Sequence, residues 1–204
     1  YLATGKPQLT MMHVNVGTAN GMNGLLNASR GNIPMLFTAG RTPTNEDQLD
    51  GHRDNVIHWT QEMYDQNGMT REAAKWDYEL RNGEQIETIV DRMLTMSMSD
   101  PKGPVYLSLP REVLAIKMKE YTYETPGRVQ PTESSLPNPK SLDEAASILS
   151  KAKNPVIITN WGGRNPGVMP ALVALADKYA IPVVEFGNRF IAMPNRHPMY
   201  AGGN

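Results

Sequence analysis

The sequence predicts an α/β protein built from parallel sheets flanked by helices. Three observations carry this expectation. Short apolar runs near 9–14, 33–40, 105–109, 155–159 and 181–186 are too short for helices and are set off by Gly- or Pro-containing turns. Segments with apolar residues at helical spacing lie between them. A proline-rich stretch at 121–140 divides the chain, and the same alternation resumes after it.

Composition narrows the function classes. The 204 residues suffice for one large domain or two small ones. A net charge of −1 gives no electrostatic footprint for nucleic acid or an anionic membrane. No apolar run approaches the roughly 20 residues that span a bilayer. Tyr1–Pro7 lacks the basic and apolar regions of a signal peptide. The chain has no cysteine, which excludes disulfides, thiolate catalysis and Cys-ligated zinc. A cytoplasmic setting is the expectation. The chain opens without Met, on residues that read as the end of a helix entering a turn, so its natural N-terminus is expected further upstream.

The elements follow in order. Gly5-Lys6-Pro7 signals a turn and Leu9–Val14 reads as a buried strand. A tight turn is expected at Gly17. A helix then runs from about Thr18 to Arg30, its glycines at 21 and 24 letting it lie close to the sheet, with Gly31-Asn32 as its stop. Ile33–Gly40 is a second buried strand. Residues 41–54 are polar and rich in Gly, Pro, Asn and Asp, hence a loop. Residues 55–64 are ambiguous, with room for one or two helical turns, and 69–76 read as a short strand or irregular chain. Residues 84–98 are a clear helix, with Ile86, Ile89, Val90, Met93 and Leu94 on one stripe. Val105–Leu109 is a third strand, closed by Pro110.

Pro126, Pro131, Pro137 and Pro139 mark 121–140 as a linker. Ser141 and Glu144 form a capping box for the next helix, which carries Leu142, Ala145, Ala146 and Leu149 on one face. Pro155–Thr159 is a strand, Asn160–Gly167 a Gly-rich turn, and Val168, Ala171, Leu172, Leu175 and Tyr179 the stripe of another helix. Ile181–Phe186 is the next strand. Two parallel strands leave a face and both edges poorly covered, so the second unit is expected to be truncated or completed by another chain.

Ordered motifs then carry a resemblance. Thr4-Gly5-Lys6-Pro7, Gly17-Thr18-Ala19-Asn20, Leu26-Asn27-Ala28, Ile33-Pro34, Thr38-Ala39-Gly40, Gln61-Glu62 and Gly103–Pro110 resemble the pyrimidine-binding domain of thiamine diphosphate-dependent enzymes. The acetolactate synthase and benzoylformate decarboxylase group is the nearest. Asn154–Ile157, Gly162-Gly163 and His197–Gly202 resemble the start of that family's Rossmann-like central domain. The resemblance makes 1–120 the C-terminal part of the pyrimidine-binding domain, 121–140 the linker, and 141–204 the N-terminal part of the central domain. It makes the chain an internal piece of a subunit of roughly 550 residues, three domains of ~150–200 each, inactive alone. The family's activating glutamate would lie before Tyr1. The diphosphate and Mg2+ site, with its Gly-Asp-Gly motif, would lie after Asn204.

The resemblance also names site residues. His13, four residues before Gly17, stands where benzoylformate decarboxylase-like enzymes carry a histidine facing the thiazolium; acetolactate synthases usually lack it. Its implied role is proton transfer while the cofactor acts on a 2-oxo acid, which suits an imidazole titrating near neutrality. The plainer reading is a hydrogen-bonded histidine at a strand end. Gly17, Thr18 and Asn20 are implied to face the cofactor's ring end. A helix N-terminus there suggests an anion site by itself, and the glycines alone are explained by tight packing. Gln61 is implied to line the substrate pocket of a partner subunit, or is a solvated polar residue. Gly162-Gly163-Arg164 lacks Gly-x-Gly-x-x-Gly spacing; FAD or ADP is a candidate ligand of the central domain, with Arg164 as a phosphate contact. His52, His58 and His197 have no zinc-site spacing, and Asp47, Asp50 and Asp54 lack that of an EF-hand, so no metal ligand is expected.

The implied function is decarboxylation or carboligation of 2-oxo acids by thiamine diphosphate with Mg2+, in a homo-oligomeric dimer or tetramer. The alternative is a non-catalytic nucleotide-binding or regulatory α/β protein of the same fold.

Overall fold

In the computed structural model the described residues are 1–118, 120, 122, 130–187 and 190–203. The chain divides into two compact units, Tyr1–Ser134 and Ser135–Asn204. The division falls inside the stretch expected as a linker. Pro126 and the rest of 123–129 lie outside the described residues, but 132–134 is tied to the first unit. Asp100 donates its amide to the Thr132 carbonyl at 2.9 Å, and the Ser134 hydroxyl reaches Asp100 Oδ2 at 2.9 Å.

The first unit is a four-stranded sheet of β1 (Gln8–Met12), β2 (Met35–Arg41), β3 (Asp77–Glu79) and β4 (Pro104–Pro110). The spatial order is β1-β2-β4-β3 and every pair is parallel. Between the strands run α1 (Val14–Arg30), the single turn α2 (Ile57–Thr60) and α3 (Ile86–Met98), and α4 (Arg111–Ala115) follows β4.

The two central strands explain the layering. Side chains alternate across a strand with period two. Phe37 and Ala39 of β2 and Tyr106 of β4 cluster with Leu25 and Met22 of α1. Leu36, Val105 and Leu107, one residue out of phase, cluster with Ile89 and Met93 of α3. One helix thus covers each face, which is what a parallel sheet with apolar residues on both sides requires.

Strand β1 is not buried as expected. It is an edge strand with Leu9 65% and Met11 60% exposed. Its composition matches a buried strand, but only its inward residue Met12 reaches a core cluster, on the α1 side. Of the two readings of 69–76, irregular chain is the one observed: residues 67–70 make a single 3-10 turn and the strand lies just after, at Asp77–Glu79. Backbone bonds from Lys75 to Pro104 and from Leu80 to Ser108 extend that pairing at both ends.

The expected turn at Gly17 moves upstream. α1 starts at Val14 with His13 as its N-cap, so Gly17 already donates to the His13 carbonyl at 2.7 Å inside the first turn. Glycine fits closely here, since a Cβ would stand 3.1 Å from Met12 Cβ, where the helix folds back over the strand end. Gly21 allows the next close approach: a Cβ there would lie 2.5 Å from Phe37 Cζ. Gly24 faces open space and has no such role.

The second unit contains α5 (Pro139–Lys151), β5 (Ile157–Thr159), α6 (Val168–Tyr179), β6 (Val183–Glu185) and β7 (Tyr200–Gly203). The sheet has three parallel strands, β5-β6-β7, rather than the two expected. Tyr200–Gly203 was hidden because its glycines carry no β-pattern; the Asn204 that follows lies outside the described residues. Ala176 of α6, Val183 and Met193 form the core. The capping box also shifts. Asn138 caps α5 by accepting from the Lys140 amide at 2.9 Å, with Pro139 in the first turn, so Ser141 and Glu144 are already helical. Leu142 and Ile148 of this helix are exposed.

The glycines of α1 give a paired test. Gly21→Ala is expected to destabilise the protein by about 1–3 kcal/mol through overpacking against Phe37. Gly24→Ala is expected to be neutral or to stabilise by about 0.5–1 kcal/mol, because alanine loses less backbone entropy in a helix. Urea-denaturation midpoints of the two variants measure the difference.

Candidate functional site

In an open parallel sheet, ligands bind beyond the carboxyl ends of the strands. At that edge of the first unit stand His13 after β1, Arg41 at the end of β2, Glu79 at the end of β3, and Arg111 and Glu112 after β4. His13 is exposed, and its side chain makes no capping bond to α1. Val14, which follows it, has φ +34°. A β-branched residue on the left-handed side is a strained conformation, costing on the order of 1–3 kcal/mol, and such strain clusters at functional sites. The corner is tight on its far side too. A Cβ on Gly40 would stand 3.4 Å from Val14 Cγ1.

The other expected residues divide. Asn20 is exposed one turn along α1 from Val16. Thr18 is fully buried. Its hydroxyl donates to the Val14 carbonyl at 2.8 Å and lies 2.9 Å from the Tyr106 hydroxyl. Its side chain therefore supports the corner from inside rather than facing a ligand. The amide of Gly17 is used within the helix, and that of Val16 is satisfied by Asn15 Oδ1 at 2.7 Å. Neither of these two amides is therefore free to hold an anion. Gln61 is half-buried at the C-terminal end of α2.

Behind the corner lies a polar network that the sequence pattern did not reveal. Tyr106 is fully buried, and its hydroxyl accepts from Gln66 Nε2 at 2.8 Å. The same Gln66 amide group donates to the Gly40 carbonyl at 2.8 Å. Burial pushes the Tyr106 phenol above its ordinary value, opposed by its bonds to Gln66 and Thr18. It is a neutral hydroxyl at any physiological pH.

A charged network continues along the strand ends. Arg41 is buried; its Nε lies 2.7 Å from Glu79 Oε2, and its guanidinium donates to the Met63 carbonyl at 2.8 Å. Glu62, next to Gln61, pairs with both Arg41 and Arg53. A cavity of about 320 Å³ opens here, lined by Arg41, Asn67, Arg71, Asp77 and Glu79 among others. Arg71 is paired with Asp65 and Asp77, so the cavity wall is largely self-neutralised.

The 41–54 loop is anchored by the residues after β4. Glu112 Oε1 accepts from the Thr44 amide at 2.8 Å and the Thr44 hydroxyl at 2.7 Å, and Arg111 holds Asp54 at 2.7 Å. Three of the four acidic residues of this loop have partners within the unit, Glu46 through Arg53. Asp54 binds Arg111, and Asp47 accepts from the Gln48 amide. His58 lies beside Asp54 and His197 beside Asp177. Among the described residues no group of three or more His, Asp or Glu is arranged to hold a metal. No helix among them is long and apolar enough to cross a membrane.

In the second unit, the Gly-rich turn packs against the chain's own backbone. A Cβ on Gly163 would stand 2.3 Å from the Ile191 carbonyl oxygen. Buried Glu185, at the end of β6, holds that partner segment by accepting from the amides of Ala192 and Met193. The glycines here are explained by chain packing.

Comparison with known proteins supplies a family. Residues 1–69 match the description "Thiamine pyrophosphate enzyme, N-terminal TPP binding domain", and 142–204 match "Thiamine pyrophosphate enzyme, central domain". Benzoylformate decarboxylase of Pseudomonas aeruginosa is 27% identical over 98% of this chain and 37% of its own length. Acetolactate synthase of Arthrospira platensis is 24% identical over 98% of this chain and 33% of its own. The X-ray structure of a Mycobacterium smegmatis protein named as a "putative thiamin diphosphate-dependent enzyme" superposes with a TM-score of 0.73 at 27% identity, covering 99% of this chain and 37% of that one. The chain spans about a third of the length of the curated relatives it matches.

Two outcomes test the loop anchor. Glu112→Ala strands the Thr44 donors and is expected to cost about 1–3 kcal/mol, with faster proteolysis between Thr44 and Asp54. The Arg111 hydrogen bond holds the Asp54 carboxyl below its usual range. The contact therefore contributes above about pH 4, the unfolded value, and fades as pH falls through the lower folded value. An NMR titration of the Asp54 carboxyl is expected to show that depressed midpoint, and Arg111→Ala to return it upward.

Proposed function

We infer the function from one premise: this chain belongs to the thiamine pyrophosphate-dependent enzymes. It is read as part of an enzyme that decarboxylates 2-oxo acids or joins them to a second carbonyl, with Tyr1–Ser134 forming the ring-end wall of the cofactor site. The observation that carries the reading is the exposed imidazole of His13 at the carboxyl end of β1, on a strained corner next to Gly17. Thiamine diphosphate, when bound, supplies the carbanion chemistry.

The residues present fit the ring end of that group. Asn20 offers an exposed amide and His13 an exposed imidazole able to take or give a proton, with Gly17 in the first turn of α1 beside them. In this reading His13 holds or releases a proton at an imidazole nitrogen facing the bound substrate, and Asn20 orients the ring end through its carboxamide. Thr18 contributes from inside the corner. Gln61 faces substrate from α2, held in line by the pairing of its neighbour Glu62 with Arg41 and Arg53.

The described residues do not fit Mg2+, since none forms a ligand cluster. The metal and the diphosphate are assigned to a part of the enzyme outside this chain. A shared site between two subunits, and so a dimer or tetramer, belongs to the same proposal, as does a cytoplasmic setting. FAD or ADP is not favoured in the second unit, because Gly163 is already packed against Ile191.

His13→Ala in the full-length enzyme is expected to lower kcat by about 10²–10⁴-fold on 2-oxo acids, the usual worth of a positioned acid–base group, with thiamine diphosphate affinity changed little. Steady-state kinetics and cofactor titration read the two effects. Unaltered turnover overturns the assignment of His13.

A further inference from the structure

The strained corner bearing His13 has no cap of its own. His13 is the N-cap of α1 and makes no side-chain bond to it, where Ser, Thr, Asp or Asn would normally secure the turn. Val14 at φ +34° needs an external restraint to remain there. The restraint comes from beneath, and its direction is fixed by donor counting. Thr18 has one hydroxyl proton, and it points to the Val14 carbonyl at 2.8 Å. The 2.9 Å contact between Thr18 and Tyr106 must then be donated by the Tyr106 hydroxyl. Tyr106 in turn accepts from Gln66 at 2.8 Å. The line runs Gln66 to Tyr106 to Thr18 to the Val14 carbonyl, with every side chain at 0–1% exposure. Gln66 also binds the Gly40 carbonyl, against whose residue Val14 packs. One buried amide thus fixes the end of β2 and the start of α1 together.

We propose that Tyr106 is a positioning residue for His13: through Thr18 it holds the Val14 carbonyl, and thereby the left-handed corner that sets where the imidazole stands. The proposal rests on the reading of His13 given above. Tyr106 touches neither cofactor nor substrate, since it is closed off from solvent. Its ring packs against Phe37 with centroids 5.5 Å apart, so the aromatic body is anchored independently of the hydroxyl. Removing the hydroxyl alone separates the two roles.

The test uses Tyr106→Phe, Thr18→Val, His13→Ala and the double variant of His13 and Tyr106, all in the full-length enzyme loaded with thiamine diphosphate. Tyr106→Phe is expected to lower kcat about tenfold with KM within twofold, short of the ~10²-fold that a 1 Å misplacement costs. Thr18→Val, which breaks the same line one link later, is expected to reproduce that split. In the His13→Ala background, Tyr106→Phe is expected to have no further effect on kcat. A crystal structure of the Tyr106→Phe apoenzyme supplies a readout independent of activity. Val14 is expected to leave the left-handed region or the His13 ring to shift. Equal losses of kcat in both backgrounds overturn the proposal, as does an unmoved corner or an unchanged kcat in Tyr106→Phe. An unaltered kcat in His13→Ala overturns the reading of His13 itself, whatever Tyr106→Phe does.

Discussion

The first unit depends on β2 and β4 being covered on both faces. Their registered residues Phe37 and Tyr106 point to α1, while Leu36 and Val105 point to α3. Moving either strand by one residue would exchange the two sets and bring the Tyr106 hydroxyl out of reach of Thr18 and Gln66. Register in the core and geometry at the strand ends are therefore a single constraint. The same alternation that buries the hydrocarbon also delivers one hydroxyl to the underside of the corner at Val14.

Both units secure the chain after a strand with a buried glutamate. Glu112, just past β4, accepts from the amide and hydroxyl of Thr44, and Glu185, at the end of β6, accepts from the amides of Ala192 and Met193. A carboxylate has several acceptor positions and no donor, so it suits backbone amides that no strand or helix pairs. The 41–54 loop so held is polar, and its order comes from such charge-assisted hydrogen bonds. In the second unit the same device works alongside apolar packing, since Met193 also belongs to the core.

Much of the fold was legible in the sequence. The strand–helix alternation, the apolar stripe of α3 and the close approach of a glycine-bearing helix follow directly from residue pattern, as Gly21 against Phe37 illustrates. Boundaries were less legible. Met11 and Met12 read alike, yet one is exposed and the other reaches the core, because edge position is a property of the sheet and not of the strand. Asn138 caps α5 three residues before Ser141, since two good capping signals compete and Pro139 favours the earlier one. His13, the candidate site residue, was singled out by the family resemblance at its offset from Gly17, and the structure leaves its ring exposed. Its support was not, because Tyr106, Gln66 and Thr18 are far apart in sequence and each is ordinary where it stands. Of the three, only Thr18 stands out in the sequence, as a cofactor contact, and its buried side chain bonds the Val14 carbonyl and Tyr106 instead.

The packing of Gly21 beneath Phe37 ties two positions in evolutionary drift. With a phenyl ring at 37, any side chain at 21 meets it at 2.5 Å. A smaller residue at 37 would free room that only a larger residue at 21 can fill, since empty space in a core is itself costly. The two sites are therefore expected to change as a pair across descendants of this chain, with volume passed between helix and strand while their sum stays nearly constant.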